Sequence, residues 1–313
     1  MDLFSRAAIC HLTEFDLQGS ANTAWALSTV LLADSSIFPA LADLLLSSLL
    51  LDTSMACLDH VANELTHVCQ LVWAFSFASC LSQRLGQRLY RTLIDTGARL
   101  DCIPVQDLVT GPPLETRCKE MTPGGPTLAM DLDGISVVFK PPYWEVDAKG
   151  QLSRSGLYLS KYLQAAHPAS PVLRMARFEY GFIHRLDVPS SGLILAGTTF
   201  RGLAALQWQM HTYSICREYV VLVAGMLPAE VLKISASVQD FLAGRSYVSD
   251  DGRPADTELK VLDHSGASRS DERHTLLSIA IYTGRRHQIR VHVQWQGYPT
   301  VTDEKCLCAS SKQ

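Results

Sequence analysis

The chain is 313 residues long, 47% hydrophobic and 19% charged, which excludes a disordered polymer and leaves room for two domains. A formal net charge of -4 argues against a uniformly basic nucleic-acid binder, but residues 1–122 carry 7 basic and 13 acidic side chains whereas residues 160–313 carry 17 and 14. Nine cysteines, at 10, 57, 69, 80, 102, 118, 216, 306 and 308, are odd in number and include no Cys-x-x-Cys pair, so they read as reduced thiols rather than a zinc site.

The first residues, Met1 to Arg6, have neither a basic-then-apolar secretory layout nor the Arg-rich character of a chloroplast or mitochondrial transit peptide. Leu44 to Leu51, between Asp43 and Asp52, is too short to cross a bilayer. A soluble intracellular protein without a membrane partner is expected, with a chloroplast or mitochondrial location left open.

Residues 15–100 contain an imperfect repeat: Ala24-Trp25-Ala26-Leu27-Ser28 returns as Val72-Trp73-Ala74-Phe75-Ser76, an offset that also aligns Leu17 with Leu65, Ile37 with Leu85 and Leu41 with Leu89. Apolar residues three and four apart predict stacked helical hairpins with the tryptophans in their core. Residues 109–127 gather four prolines and three glycines and read as a linker. The expected organisation is a helical segment over 1–108, this linker, and a second domain over 128–313.

Gly134 to Pro142 reads as a strand stopped by Pro-Pro, and Ser155 to Ala166 as a helix stopped at His167-Pro168. His184-Arg185-Leu186-Asp187 then enters a Pro-Ser-Ser-Gly turn and an apolar strand that ends at Gly197. From the residues alone, Asp187 is either a turn-capping carboxylate or a placed nucleophile, and spacing does not decide. Thr199 to Met210 is a Thr-capped helix, and Arg217 to Gly225 a strand with Tyr219 near its start. Strands over 252–262 and 275–282 lead into Thr283-Gly284-Arg285-Arg286-His287-Gln288-Ile289-Arg290-Val291-His292. There Ile289, Val291, Val293 and Trp295 alternate with polar residues, which by itself reads as a strand.

The His-Arg-Leu-Asp run with its Ser-Ser-Gly-Leu continuation resembles the signature of the RluA-type RNA pseudouridine synthases, with Ser190 where Thr is usual. The Arg217-x-Tyr219 strand, the Ala255-x-Thr257 strand and the Gly284-Arg285 to Arg290 run resemble that family's further elements in the same order, so the resemblance covers roughly Gly134 to Cys306. It implies an α+β catalytic domain with a mixed, mainly antiparallel β-sheet behind an all-α helical-repeat segment, and a helix rather than a strand after Arg286. It also implies isomerisation of uridine to pseudouridine in structured RNA, rRNA or tRNA, with the base flipped out of its stack. That reaction has no redox change, so no cofactor and no metal are expected.

The same resemblance gives residues their roles. Asp187 is the catalytic carboxylate, Tyr219 packs on the uracil and Arg290 pairs with Asp187. Arg185 enters the stack vacated by the target base, Lys140 stands in the loop beside the active site as an RNA contact, and His184, Ser190, Ser191, Gly192 and His287 support the site; Arg285 and Arg286 read either as RNA phosphate contacts or as a solvated basic face. The helical segment is similar to octotricopeptide and FAST-kinase-like RNA-binding repeats. Where relatives continue into a last strand with a Leu-His-Ala run, this chain has Thr302 to Cys306, so a C-terminally short domain is expected. A monomer is expected, and the rival reading is a catalytically inactive RNA-binding platform.

Overall fold

The computed structural model describes residues 8–29, 36–48, 57–104, 124–147, 157–231, 233–240, 246–266 and 273–301. Most of the 109–127 stretch, Ser155, Gly156, the cysteines at 118, 306 and 308, and the Thr302 to Cys306 segment lie outside them. The described residues divide into two compact units, Met1–Thr212 and Tyr213–Gln313, each with its own apolar cluster.

In the first unit, α1 (Leu17–Thr29), α2 (Ile37–Ser48), α3 (Leu58–Phe77) and α4 (Gln83–Asp101) form two helical hairpins. Repeat-related positions are buried in both copies: Ala24 and Val72, Leu27 and Phe75, Ile37 and Leu85, Leu41 and Leu89. Each such large side chain contributes about 1.5–3 kcal/mol. The hairpins lock where Ser28 Oγ donates to the Ala74 carbonyl at 3.0 Å and the Phe38 ring meets Phe75 edge-on at 5.3 Å. The tryptophans depart from expectation. Trp25 is 47% exposed and Trp73 half-buried, while the small residues Ala21, Ala24 and Ala74 are fully buried.

Beyond these helices come β1 (Thr127–Leu132), β2 (Ile135–Lys140), α5 (Leu159–Ala166), β3 (Gly192–Gly197) and α6 (Phe200–His211). The strands form an antiparallel sheet in the order β1-β2-β3, with Lys140 opposite Gly192 and Phe139 opposite Leu193. Thr199 caps α6 by accepting from Gly202 N at 3.0 Å. A second cap comes from the helical segment: Asp101 accepts from Phe200 N at 2.7 Å and Arg201 N at 3.0 Å. Gly97 makes that approach close, since a Cβ there would lie 2.9 Å from Arg201 Cα and from the Phe200 carbonyl. Burial raises the Asp101 carboxyl pKa, against the two backbone donors that lower it.

The second unit contains β4 (Arg217–Ala224), β5 (Lys233–Ser235), β6 (Val238–Asp240), β7 (Ser246–Val248), β8 (Asp256–Gly266), β9 (Arg273–Ile281) and α7 (Gln288–Trp295). An antiparallel sheet runs β4-β9-β8-β5, and β6 pairs with β7. Thus Gln288–Trp295 is helical despite its alternating pattern. Val291, His292 and Val293 are buried in succession, which a two-faced strand does not allow, and His287 at φ 53° turns the chain into the helix.

Candidate active site

In the first unit the Asp187 loop is fastened to both neighbouring strands. Phe182 bridges Ala196 of β3, and Leu195 N donates to His184 Nε2 at 3.1 Å, which puts the proton of the neutral ring on Nδ1. Ser190 N donates back to the Asp187 carbonyl at 3.0 Å, closing the turn that the sequence pattern predicts. The Val188 carbonyl, next to Asp187, accepts from Tyr143 N at 2.6 Å and from Lys140 Nζ at 3.2 Å. Gly192, at φ 146°, then starts β3 opposite Lys140.

Lys140 is fully buried. Its ammonium donates to the carbonyls of Pro141 (3.1 Å), Trp144 (2.8 Å) and Val188 (3.2 Å), so its three donors meet three acceptors. Burial pushes its pKa down to about 8, opposed by the nearby Asp187 charge. In this structure the Lys140 ammonium forms a clamp between the loop after β2 and the residue beside Asp187. Arg185 is exposed and approaches the buried Asp147 carboxylate at 3.7 Å. Asp187 is half-buried, while Ser190 and Ser191 are exposed on the turn. Lys140, His184, Arg185, Asp187, Ser190, Ser191 and Gly192 thus belong to one assembly.

The second unit carries the other sequence-derived residues. Tyr219 lies on β4 opposite Ile279, on the inward side it shares with Arg217, Val221 and Val223, and its half-buried ring packs on the apolar cluster. Arg217 Nη2 donates to the Tyr282 carbonyl at 2.7 Å, and Arg285 Nε to the Pro254 carbonyl at 3.1 Å. Burial lowers the pKa of both guanidinium groups. Arg285 and Arg286 form no ion pair among the described residues. His287 is the left-handed residue ahead of α7, and Arg290 is half-buried on that helix.

A buried polar chain holds α7 in place, and the sequence reading did not single it out. Gln288 Oε1 accepts from Thr283 Oγ1 (3.1 Å) and Arg285 N (3.0 Å), while its Nε2 donates to Thr257 Oγ1 (3.1 Å). Thr257 Oγ1 then meets His292 Nδ1 at 2.8 Å, and His292 Nε2 meets the Ala236 carbonyl at 3.0 Å. A carbonyl only accepts, so Nε2 carries the proton and Thr257 donates to Nδ1. Burial lowers the His292 pKa in keeping with that neutral ring. Gln288 and His292 both stand in the Thr283–His292 motif, and that membership is the signal by which the sequence marks them. Among the described residues no group of three or more His, Cys, Asp or Glu is placed to hold a metal ion.

A carboxylate presented on a rigid loop beside a buried cation suits nucleophilic or electrostatic catalysis. The family model described as RNA pseudouridylate synthase matches residues 134–295. The chain belongs to this family, in its RluA-type branch. It is 27% identical over 211 residues to the ribosomal large subunit pseudouridine synthase C of Pasteurella multocida, covering 65% of this chain and 62% of that protein. Its Escherichia coli namesake is 32% identical over 177 residues, covering 55% of this chain and 50% of the other. The chain thus spans less than two thirds of the length of these relatives. Among solved structures, human RNA pseudouridylate synthase domain containing 1 aligns with a TM-score of 0.45 and 23% identity, covering 58% of this chain and 70% of that one.

Proposed function

We propose that this chain is an RNA pseudouridine synthase that converts uridine to pseudouridine in structured RNA of the rRNA or tRNA kind. The observation that carries the reading is the Asp187 loop of a family member, held on β3 by His184 and Phe182 and beside Lys140 by the Val188 carbonyl. The names of its relatives, which refer to the ribosomal large subunit, favour ribosomal RNA.

Breaking the N1 glycosidic bond, turning the uracil and rejoining it through C5 conserves all atoms and electrons, so the reaction needs a placed carboxylate and shelter from water rather than an oxidant. Asp187 supplies that carboxylate. Tyr219 is the packing surface for the uracil and Arg290 the counter-charge of the working carboxylate, roles that rest on the ordered motifs. Arg185 fills the stack when the base leaves it, at the few kcal/mol that unstacking costs. Arg285 and Arg286 serve the phosphate backbone, and the protein works as a monomer.

Nucleoside analysis of RNA incubated with the protein tests this. Pseudouridine should appear with the parent chain and not with Asp187→Ala; its absence with both, from folded protein and total cellular RNA, would leave the inactive RNA-binding platform as the better account.

A further inference from the structure

Tyr143 stands on the loop after β2 with φ 68°, a left-handed conformation that is strained for an aromatic residue and that glycine adopts freely. Its backbone N–H is the 2.6 Å donor to the Val188 carbonyl, one residue from Asp187. The side chain is 68% exposed, and its ring makes no aromatic, cation–π or hydrogen-bonding contact among the described residues. Two other described tyrosines have positive φ: Tyr180 packs against the apolar core and Tyr213 is half-buried. Their rings offset the strained backbone with packing. The Tyr143 ring, 68% exposed, has no such packing among the described residues, which give no folding reason for an aromatic side chain there.

Resting on the reading of Asp187 as the catalytic carboxylate, we propose that Tyr143 is a stacking platform for a nucleobase of the RNA substrate that neighbours the target uridine. The hydrogen bond to Val188 fixes the root of the ring relative to the Asp187 loop, and the Lys140 clamp to the same carbonyl keeps that root from moving. An exposed aromatic ring on a rigid root loses little entropy when a base stacks on it. Every base offers a π-face, so the contact adds affinity with little sequence preference.

The test compares Tyr143→Asn, which tolerates the left-handed backbone but lacks the ring, with Tyr143→Phe, which keeps it. Thermal unfolding, RNA Kd, and KM and kcat for pseudouridine formation on the same transcript are measured. Tyr143→Asn should unfold at or above the parent's temperature, while its Kd and KM rise about ten-fold, as removal of one stacking partner predicts, and its kcat stays within about two-fold. Tyr143→Phe should match the parent in Kd and KM. Parental Kd and KM in Tyr143→Asn would overturn the platform, as would a marked fall in its unfolding temperature, which would give the ring a structural reason to be there. Those outcomes leave the function standing if the parent makes pseudouridine; a parent that makes none removes the function and the platform together.

Discussion

The Lys140 ammonium and the Val188 carbonyl are joined by a 3.2 Å hydrogen bond, which ties the end of β2 to the residue beside Asp187. The same ammonium serves Pro141 and Trp144, so one buried cation organises the loop that faces the candidate carboxylate.

Replacing Lys140 by Met keeps the apolar stem and removes all three donors. Three carbonyls lose their partner in a buried place, where each unsatisfied group costs about 1–3 kcal/mol, although relaxation and water recover part of that. A stability loss on the order of 3 kcal/mol is expected from urea unfolding. Pseudouridine formation per folded molecule should fall by roughly ten-fold or more, the equivalent of 1.4 kcal/mol in the barrier. A variant with parental stability and activity would show the clamp to be incidental.

Asp101 predicts a different kind of loss. Its carboxylate accepts two backbone N–H groups at the start of α6, so Asp101→Ala should cost about 1–2 kcal/mol. Asp101→Asn should cost less, because its amide oxygen still accepts one of them. Gly97→Ala should also destabilise, by about 1–3 kcal/mol, since its Cβ would press on the backbone of Phe200 and Arg201. Urea midpoints of the three variants check the order, and an unaffected Asp101→Ala would mean that the helical segment does not brace α6.

How far these features are legible in the sequence depends on how local they are. The strand over Gly192–Gly197, the Thr199 cap and the Asp187 turn follow from neighbouring residues and are found where the pattern puts them. Lys140 escapes a local reading because lysine is almost never fully buried, and the Val188 carbonyl that completes its three acceptors lies 48 positions further on. Asp101 caps a helix whose first residue lies 99 positions further on, a distance that no local rule sees. Periodicity shows that Trp25 lies on a helix, but the partner hairpin decides which face is covered.

Acid should weaken the fold through two histidines. Burial lowers the pKa of His211 to about 4 and also lowers that of His292, from an ordinary value of 6.5. The unfolded chain therefore takes up protons first as the pH drops below 6.5, and the folded state loses stability from there until its own histidines titrate. For His211 the loss completes below about pH 4 and amounts to roughly 3 kcal/mol. Urea midpoints between about pH 7 and pH 4 should fall less steeply for His211→Asn than for the parent, and identical slopes would contradict the assignment.

Salt should reveal the phosphate-binding role assigned to Arg285 and Arg286. Removing one cation that pairs with a phosphate should reduce the slope of log K against log salt by about 0.7–0.9. Arg286→Gln is the cleaner variant, because Arg285 also braces Pro254. An unchanged slope would make Arg286 a solvated surface charge.

Tritium release from RNA carrying 5-tritiated uridine tests the central claim most directly, because pseudouridine can form only if C5 gives up its hydrogen. The parent chain should release tritium from a mixture of cellular RNAs and Asp187→Ala should not, with both proteins folded. Equal release from the two would contradict the role of Asp187, and background release from both would contradict the enzyme itself.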